Sequence, residues 1–229
     1  MDEPDVSDTR CQEQPPGRSV PRAPAGGHNA GVAETRAAVA TGPDGRARVE
    51  RAALDLFTTR GFERVTSDEV ADSAGISRRT FFRYFPTKAD AVWGDFAGHV
   101  ARLERLLAGA DPAQPVLTSV CAAYVEVNDY PDAELPLLRE RMRLILTEPA
   151  LLAHSQLRFA EVDRVIARHV AARTGGEPTG LLPRLVAAST RAAATTAFET
   201  WLAEPGSPLS RHLHLAFDEI AAGFPGLRG

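Results

Sequence analysis

The sequence predicts an all-α protein of about nine helices. Three observations predict it. From Asp44 onward, apolar residues recur at i, i+3, i+4 and i+7, the spacing of a buried helical stripe. Gly and Pro interrupt that pattern where helices would end. No stretch alternates apolar and polar residues over the length of a strand, no segment repeats, and no heptad pattern is sustained.

Residues 1–43 lack Leu, Ile, Phe, Tyr and Trp and hold six prolines and five glycines. Such a segment cannot bury enough apolar surface to offset its ordering entropy, so a disordered tail is expected there. Arg18, Arg22 and Arg36 could give it a basic contact. The first helix is expected from a cap at Asp44 to about Arg60. Its apolar face is Val49, Ala52, Ala53, Leu56 and Phe57, and Gly61 stops it. Thr66 and Glu69 fit a capping box for a second helix that ends near Ala74, before Gly75. Ser77 caps a short third helix, Arg78 to Phe85. Pro86 and Thr87 break and recap the chain. A long fourth helix then runs from about Thr87 to Ala108, with Val92, Trp93, Phe96, Val100, Leu103 and Leu107 near one face.

Five more helices follow. The fifth carries Val116, Val120, Cys121, Tyr124 and Val127. The sixth starts between Pro131 and Pro136 and contains Leu138, Met142 and Ile145. The seventh starts at Pro149 and ends at Gly175-Gly176. The eighth spans about Leu181 to Leu202, and the ninth starts at Ser207-Pro208 and ends near Gly223.

Composition narrows the function classes. Hydrophobic residues are 44 % and charged residues 24 % of the 229, ordinary values for a globular protein. No apolar run is long enough for a transmembrane helix, and the acidic start Met1-Asp2-Glu3 is unlike a secretory signal, so no membrane partner is expected. Cys11 and Cys121 are too few for a disulfide framework or a zinc site, which points to a reducing cytoplasm. Cys121 sits on an apolar face and reads as a small core residue. His212 and His214 are two apart and face different ways, and His99, His154 and His169 lack spaced ligand partners. There is no nucleophile elbow, P-loop or dinucleotide fingerprint. The expectation is no metal, no cofactor, no catalytic residue and no enzyme.

The charge is unevenly distributed. Between Arg46 and Lys88 nine basic residues face six acidic ones, +3 in a chain whose total is −4. A basic module is therefore joined to an acidic body. Within the module, two short helices joined by Ala74-Gly75-Ile76-Ser77 make a helix-turn-helix pattern. Gly75 permits the sharp turn, Ile76 plugs the core, and Phe81 and Phe85 seal the third helix onto the others. Arg78, Arg79, Thr80, Arg83 and Tyr84 then point outward. Arginine can read guanine bidentately in the major groove, while hydroxyls and helix N-termini hold phosphates.

The stretch from Val65 to Val92, VTSDEVADSAGISRRTFFRYFPTKADAV, resembles the DNA-binding signature of the TetR family of transcriptional regulators. Tyr84-Phe85-Pro86-Thr87-Lys88 matches the segment that follows the reading helix in that family. The resemblance covers about 45 residues, from Arg46 to about Val92. It implies a helix-turn-helix domain over 44–88 and a ligand-binding, dimerising domain over 89–229. It also implies a homodimer on double-stranded operator DNA, and places Thr66, Thr80, Tyr84 and Lys88 at the DNA. Phe82 stands where tyrosine is common and Arg79 where glycine is frequent, so an operator sequence cannot be carried over. The expected DNA-contacting set is Arg46, Thr66, Ser77, Arg78, Arg79, Thr80, Arg83, Tyr84 and Lys88.

A shorter match, FFRYFPTKADAVWGDF with Arg139, Arg141, Arg143 and Glu148-Pro149 further on, is similar to the mycofactocin-system branch, which implies a response to acyl-CoA. The effector pocket is expected among Trp93, Phe96, Tyr124, Met142 and Phe159, all aromatic or soft and on inward faces. Arg139 and Arg143 lie i, i+4 on the sixth helix and could hold an anionic group at its mouth. The alanine- and threonine-rich eighth helix, with the ninth, is expected to pack against a partner's pair as a four-helix bundle. The reading is a repressor released from a palindromic operator by a small apolar or acyl-CoA-like effector. The alternatives are a constitutive DNA binder without an effector, which a solid core would favour, and an all-helical enzyme, which paired catalytic groups on facing helices would favour.

Overall fold

The structure, a computed structural model, describes residues 43–227. Ten α-helices and no strand occur among them, in keeping with the all-α expectation. Of the expected tail, residues 1–43, all but Pro43 lie outside the described residues, Cys11 among them, and Pro43 is helical rather than part of a tail.

Helix α1, Pro43–Arg60, begins at Pro43 and takes in Asp44 rather than being capped by it. It buries Val49, Ala53, Leu54 and Phe57 completely or nearly so. Leu54 was not in the expected stripe; it is buried because α1 packs against several helices rather than one. Helix α2, Ser67–Ser73, starts at the expected capping box, in which both Thr66 and Glu69 take part. It ends at Gly75, whose φ of +67° is the left-handed conformation that glycine tolerates best. There Ile76 N–H donates to Ala71 O and Gly75 N–H to Asp72 O, the paired bonds of a Schellman ending. Helix α3, Arg78–Tyr84, is capped by Ser77, whose Oγ accepts from Thr80 N–H. Phe81 and Phe85 are buried beneath it.

The expected fourth helix is two helices. Helix α4, Lys88–Trp93, ends at Gly94, and α5, Phe96–Ala108, starts afresh. Gly94 adopts φ +60° and ψ −139°, a conformation essentially restricted to glycine. Asp95 then caps α5 by accepting from Gly98 N–H at 3.1 Å. This raises the helix count from about nine to ten. A Cβ on Gly94 would lie 2.8 Å from Glu50 Oε2 and 2.9 Å from Arg141 Nη2. Gly94→Ala is therefore expected to destabilise the protein by about 1–3 kcal/mol, mostly through backbone strain. The urea midpoint measures it, and an unchanged midpoint would mean that the break relaxes freely.

Five helices complete the body: α6, Val116–Val127; α7, Leu135–Thr147, after a 3₁₀ turn; α8, Pro149–Thr174; α9, Leu181–Ala203; and α10, Leu209–Ala222. Helix α9 lies along both α10 and α8, and α5 packs between α6 and α8. Helices α1 and α4 both touch α7, so the N-terminal helices meet the body chiefly on that helix.

Candidate nucleic-acid interface and ligand cavity

The outward face of α3 is basic and polar. Arg78, Arg79 and Arg83 are exposed, Thr80 is half-buried, and Phe82 lies open among them. Arg78 pairs with Asp68 at 2.9 Å and stacks over the Phe82 ring. Arg83 lies over Tyr84. Arg79 forms no ion pair among the described residues. The hydroxyls are partly engaged: Thr66 Oγ1 donates to Glu69 Oε2, and Ser77 and Thr80 share a hydrogen bond of 3.0 Å. The Thr66 backbone N–H, then Arg60, hold the Glu69 carboxyl down at about 2, so this cap stays charged over the neutral range.

Two residues of the expected DNA-contacting set turn inward. Lys88 Nζ donates to Phe62 O at 2.7 Å and Val65 O at 3.0 Å, and sits over the Phe62 ring. It ties the α1–α2 loop to the start of α4. Arg46 donates to Gly94 O at 2.8 Å, pairs with Glu50, and lies over Phe85. Both cations are held by backbone carbonyls and aromatic faces within the fold.

A cavity of about 390 Å³ opens between α1, the Gly94 break and helices α5 to α9. Its wall includes Trp93, Phe96, Tyr124, Met142 and Phe159, the five aromatic or soft residues expected there. Trp93 packs edge-on against Phe96 and Phe159. His99 stacks on Phe96, and burial, then Arg102, push its pKa down to about 4, so it is neutral at pH 7. Burial likewise pushes the Tyr124 hydroxyl up and keeps it protonated.

Arg139 and Arg143 are not at the cavity. Arg139 donates to Trp201 O at 2.8 Å and lies over the Trp201 ring, tying α7 to α9. Arg143 is exposed on the outer side of α7. The cavity arginine of α7 is Arg141, which sequence reasoning did not select. A signal was present: Arg141 falls three residues after Leu138 and four before Ile145, in the apolar stripe itself. Glu50, on α1, also reaches the cavity wall and pairs with Arg141 at 3.1 Å. Arg141 Nε and Trp93 Nε1 are buried without an acceptor among the described residues.

A second depression, about 670 Å³, lies between α9 and α10 and is lined by Leu185, Ser189, Ala192, Thr196, Ile220 and Phe224 among others. No cluster of three or more His, Cys, Asp or Glu able to hold a metal occurs among the described residues. His212 is buried and engaged with Ser207. None of the described helices is long and apolar enough to cross a membrane.

Residues 51–91 match the profile described as bacterial regulatory proteins, tetR family, and residues 114–225 match that of the MftR C-terminal domain. A Mycobacterium tuberculosis (strain ATCC 25618 / H37Rv) protein, assigned as the mycofactocin biosynthesis transcriptional regulator MftR, is 39 % identical over 171 residues, 75 % of this chain and 86 % of that one. The HTH-type transcriptional regulator TcmR of Streptomyces glaucescens is 29 % identical over 180 residues, 76 % of this chain and 79 % of its own. In fold, the chain is similar to SmeT, the repressor of the Stenotrophomonas maltophilia multidrug efflux pump SmeDEF. The TM-score is 0.55 at 22 % identity, over 78 % of this chain and 89 % of SmeT. The profiles match both the helix-turn-helix segment and most of the body, and the mycobacterial relative spans both. The chain belongs to the TetR family of bacterial transcriptional regulators.

Proposed function

We propose that this regulator is a ligand-responsive repressor. It acts in the cytoplasm as a homodimer on a near-palindromic operator and is released by a small molecule with an apolar body. Residues 44–88 read the DNA; residues 89–229 hold the ligand and the partner subunit. The observation that carries this reading is the cavity. It is lined by five aromatic or soft side chains and by Glu50 of α1, so an occupant touches the first helix of the DNA-reading module directly. Its volume falls within the usual range for small-molecule sites, roughly 300–1,000 Å³. A solid core would have favoured a constitutive binder. The resemblance to the mycofactocin branch supports an acyl-CoA-like effector, though without an anion clamp at Arg139 and Arg143. The test is to recover bound DNA genome-wide, then titrate long-chain acyl-CoA and uncharged apolar compounds against the protein–operator complex. Release by acyl-CoA supports that effector class. Release by uncharged compounds alone leaves only the apolar pocket, and release by neither overturns the ligand-responsive reading.

On the DNA, Arg79 and Arg78 are the base readers, Arg78 after leaving Asp68. Thr66, Ser77, Thr80, Arg83 and Tyr84 contact the backbone. Arg79→Ala is expected to cost about 1–3 kcal/mol of operator affinity and to relax preference at one base position. Lys88→Met is expected to lower thermal stability while leaving the salt dependence of DNA binding unchanged, because its ammonium is held by Phe62 and Val65. A slope of log affinity against log salt reduced by about one would instead assign Lys88 to a phosphate.

A further inference from the structure

Three buried side-chain donors lack acceptors among the described residues, on Trp93, Arg141 and Arg173, and the first two belong to residues that line the cavity. Arg141 donates through Nη2 to Glu50 Oε2, and its Nε has no partner. Trp93 is 7 % exposed, and its Nε1 has none either. The two residues meet at the helix break: Trp93 precedes Gly94, and a Cβ on Gly94 would lie 2.9 Å from Arg141 Nη2. Buried donors without acceptors are rare because each carries an unrecovered desolvation penalty. Neither nitrogen is open to the cavity while Arg141 rests on Glu50, so an occupant supplies the missing acceptor only by shifting the side chains around them, the Arg141–Glu50 pair first.

We propose that Arg141 and Trp93 form a head-group subsite, and that the cavity takes an apolar molecule ending in an oxyanion, of which a carboxylate is the simplest case. The guanidinium fork binds a carboxylate side-on through Nε and one Nη. The Nη2 edge is the one held by Glu50, so a bidentate head draws Arg141 off the Glu50 carboxylate. Glu50 stands on α1 and also pairs with Arg46, which holds the Gly94 carbonyl. Head-group binding thus breaks the side-chain tie between α7 and α1. A ligand shifts an equilibrium only by contacts that differ between its two states, and this tie is such a contact. The inference rests on the reading of the chain as a ligand-responsive regulator. It adds the chemistry of the ligand and the pair that the ligand opens.

The experiment uses the full chain with decanoate and 1-decanol, which share an apolar body and differ at the head. Binding is followed by calorimetry, and operator retention by fluorescence anisotropy. The wild type is expected to prefer decanoate by roughly 10- to 100-fold, the range for a hydrogen bond to a charged group. Arg141→Met is expected to lose the preference and Arg141→Lys to fall between, with thermal melts checking that both fold. Glu50→Gln is expected to bind decanoate at least as tightly as wild type, yet no longer to loosen on the operator when it does. Equal affinity for both probes, binding of neither, or a preference that survives Arg141→Met overturns the subsite. Wild-type release in Glu50→Gln overturns the coupling. Failure of the regulator reading looks different: Arg141-dependent decanoate binding by a protein that holds no specific DNA.

Discussion

Thr196→Glu is expected to turn a dimer into a monomer and to lower operator affinity by roughly 10²- to 10⁴-fold, the usual gain from linking two binding modules. Leu185, Ser189, Ala192 and Thr196 line the groove between α9 and α10 at helical spacing. The opposite side of α9 is spent on the core, with Ala187, Thr190, Ala194, Ala197 and Trp201 all buried. Its small outward residues let another helix pair approach closely, while Leu185, at 56 % exposure, leaves apolar surface uncovered. A two-fold interface brings the same patch from both subunits together, so one substitution counts twice. A carboxylate buried there without a partner is strongly destabilising. Thr196 is itself exposed, so the subunit's own fold should change little. Sedimentation velocity and operator titration are the measurements. A variant that remains dimeric, or a wild type already monomeric at micromolar concentration, removes α9 from the interface.

The helix-turn-helix segment was legible because its signals are local. The Thr66–Glu69 capping box, the Gly75 turn and the Ser77 cap each span a few residues, and each is formed. What the sequence could not show depends on tertiary partners. Lys88 and Arg46 look like phosphate ligands on a basic module. Their acceptors, the carbonyls of Phe62, Val65 and Gly94, lie 26, 23 and 48 residues away. No pattern in the chain pairs them. The Gly94 break was missed for another reason. A single glycine inside an apolar periodicity is tolerated by a helix, and Asp95 with Gly98 gives only a weak start signal. The cavity's apolar wall could be read from inward-facing aromatics, but its charge could not. Arg139 and Arg143 form the expected i, i+4 pair, whereas the stripe that faces the cavity runs through Leu138, Arg141, Met142 and Ile145.

Asp90→Asn is expected to cost about 2–4 kcal/mol at pH 7. One carboxylate there does two jobs. Its Oδ2 caps α4, accepting from Thr87 N–H at 2.9 Å and Thr87 Oγ1 at 2.8 Å. Its Oδ1 receives Arg158 and His154, both from α8, with His154 at 3.1 Å. Asp90 is 7 % exposed. Burial alone pushes its carboxyl up, but the hydrogen bonds from Thr87 and Arg158 outweigh that and hold it below its ordinary value of 3.8. The sign follows from linkage. Because the folded value is depressed, the stabilisation is fully present above the unfolded value and is lost as pH falls through the folded one. Asparagine keeps an acceptor but not the charge, and leaves Arg158 with the longer contact to Glu161 at 3.6 Å. Urea unfolding of both proteins from pH 7 downward should therefore show a gap that is wide at neutral pH and narrows below about pH 4. A gap independent of pH would reduce Asp90 to a cap whose charge does not matter. The gap has a functional counterpart. Arg158 is the neighbour of Phe159 in the cavity wall, so the ion pair pins α4, which follows the reading helix, to α8, which lines the cavity. If the chain is ligand-responsive as proposed, Asp90→Asn should thus also weaken ligand-induced operator release at pH 7, measured on protein that a thermal melt shows to be folded.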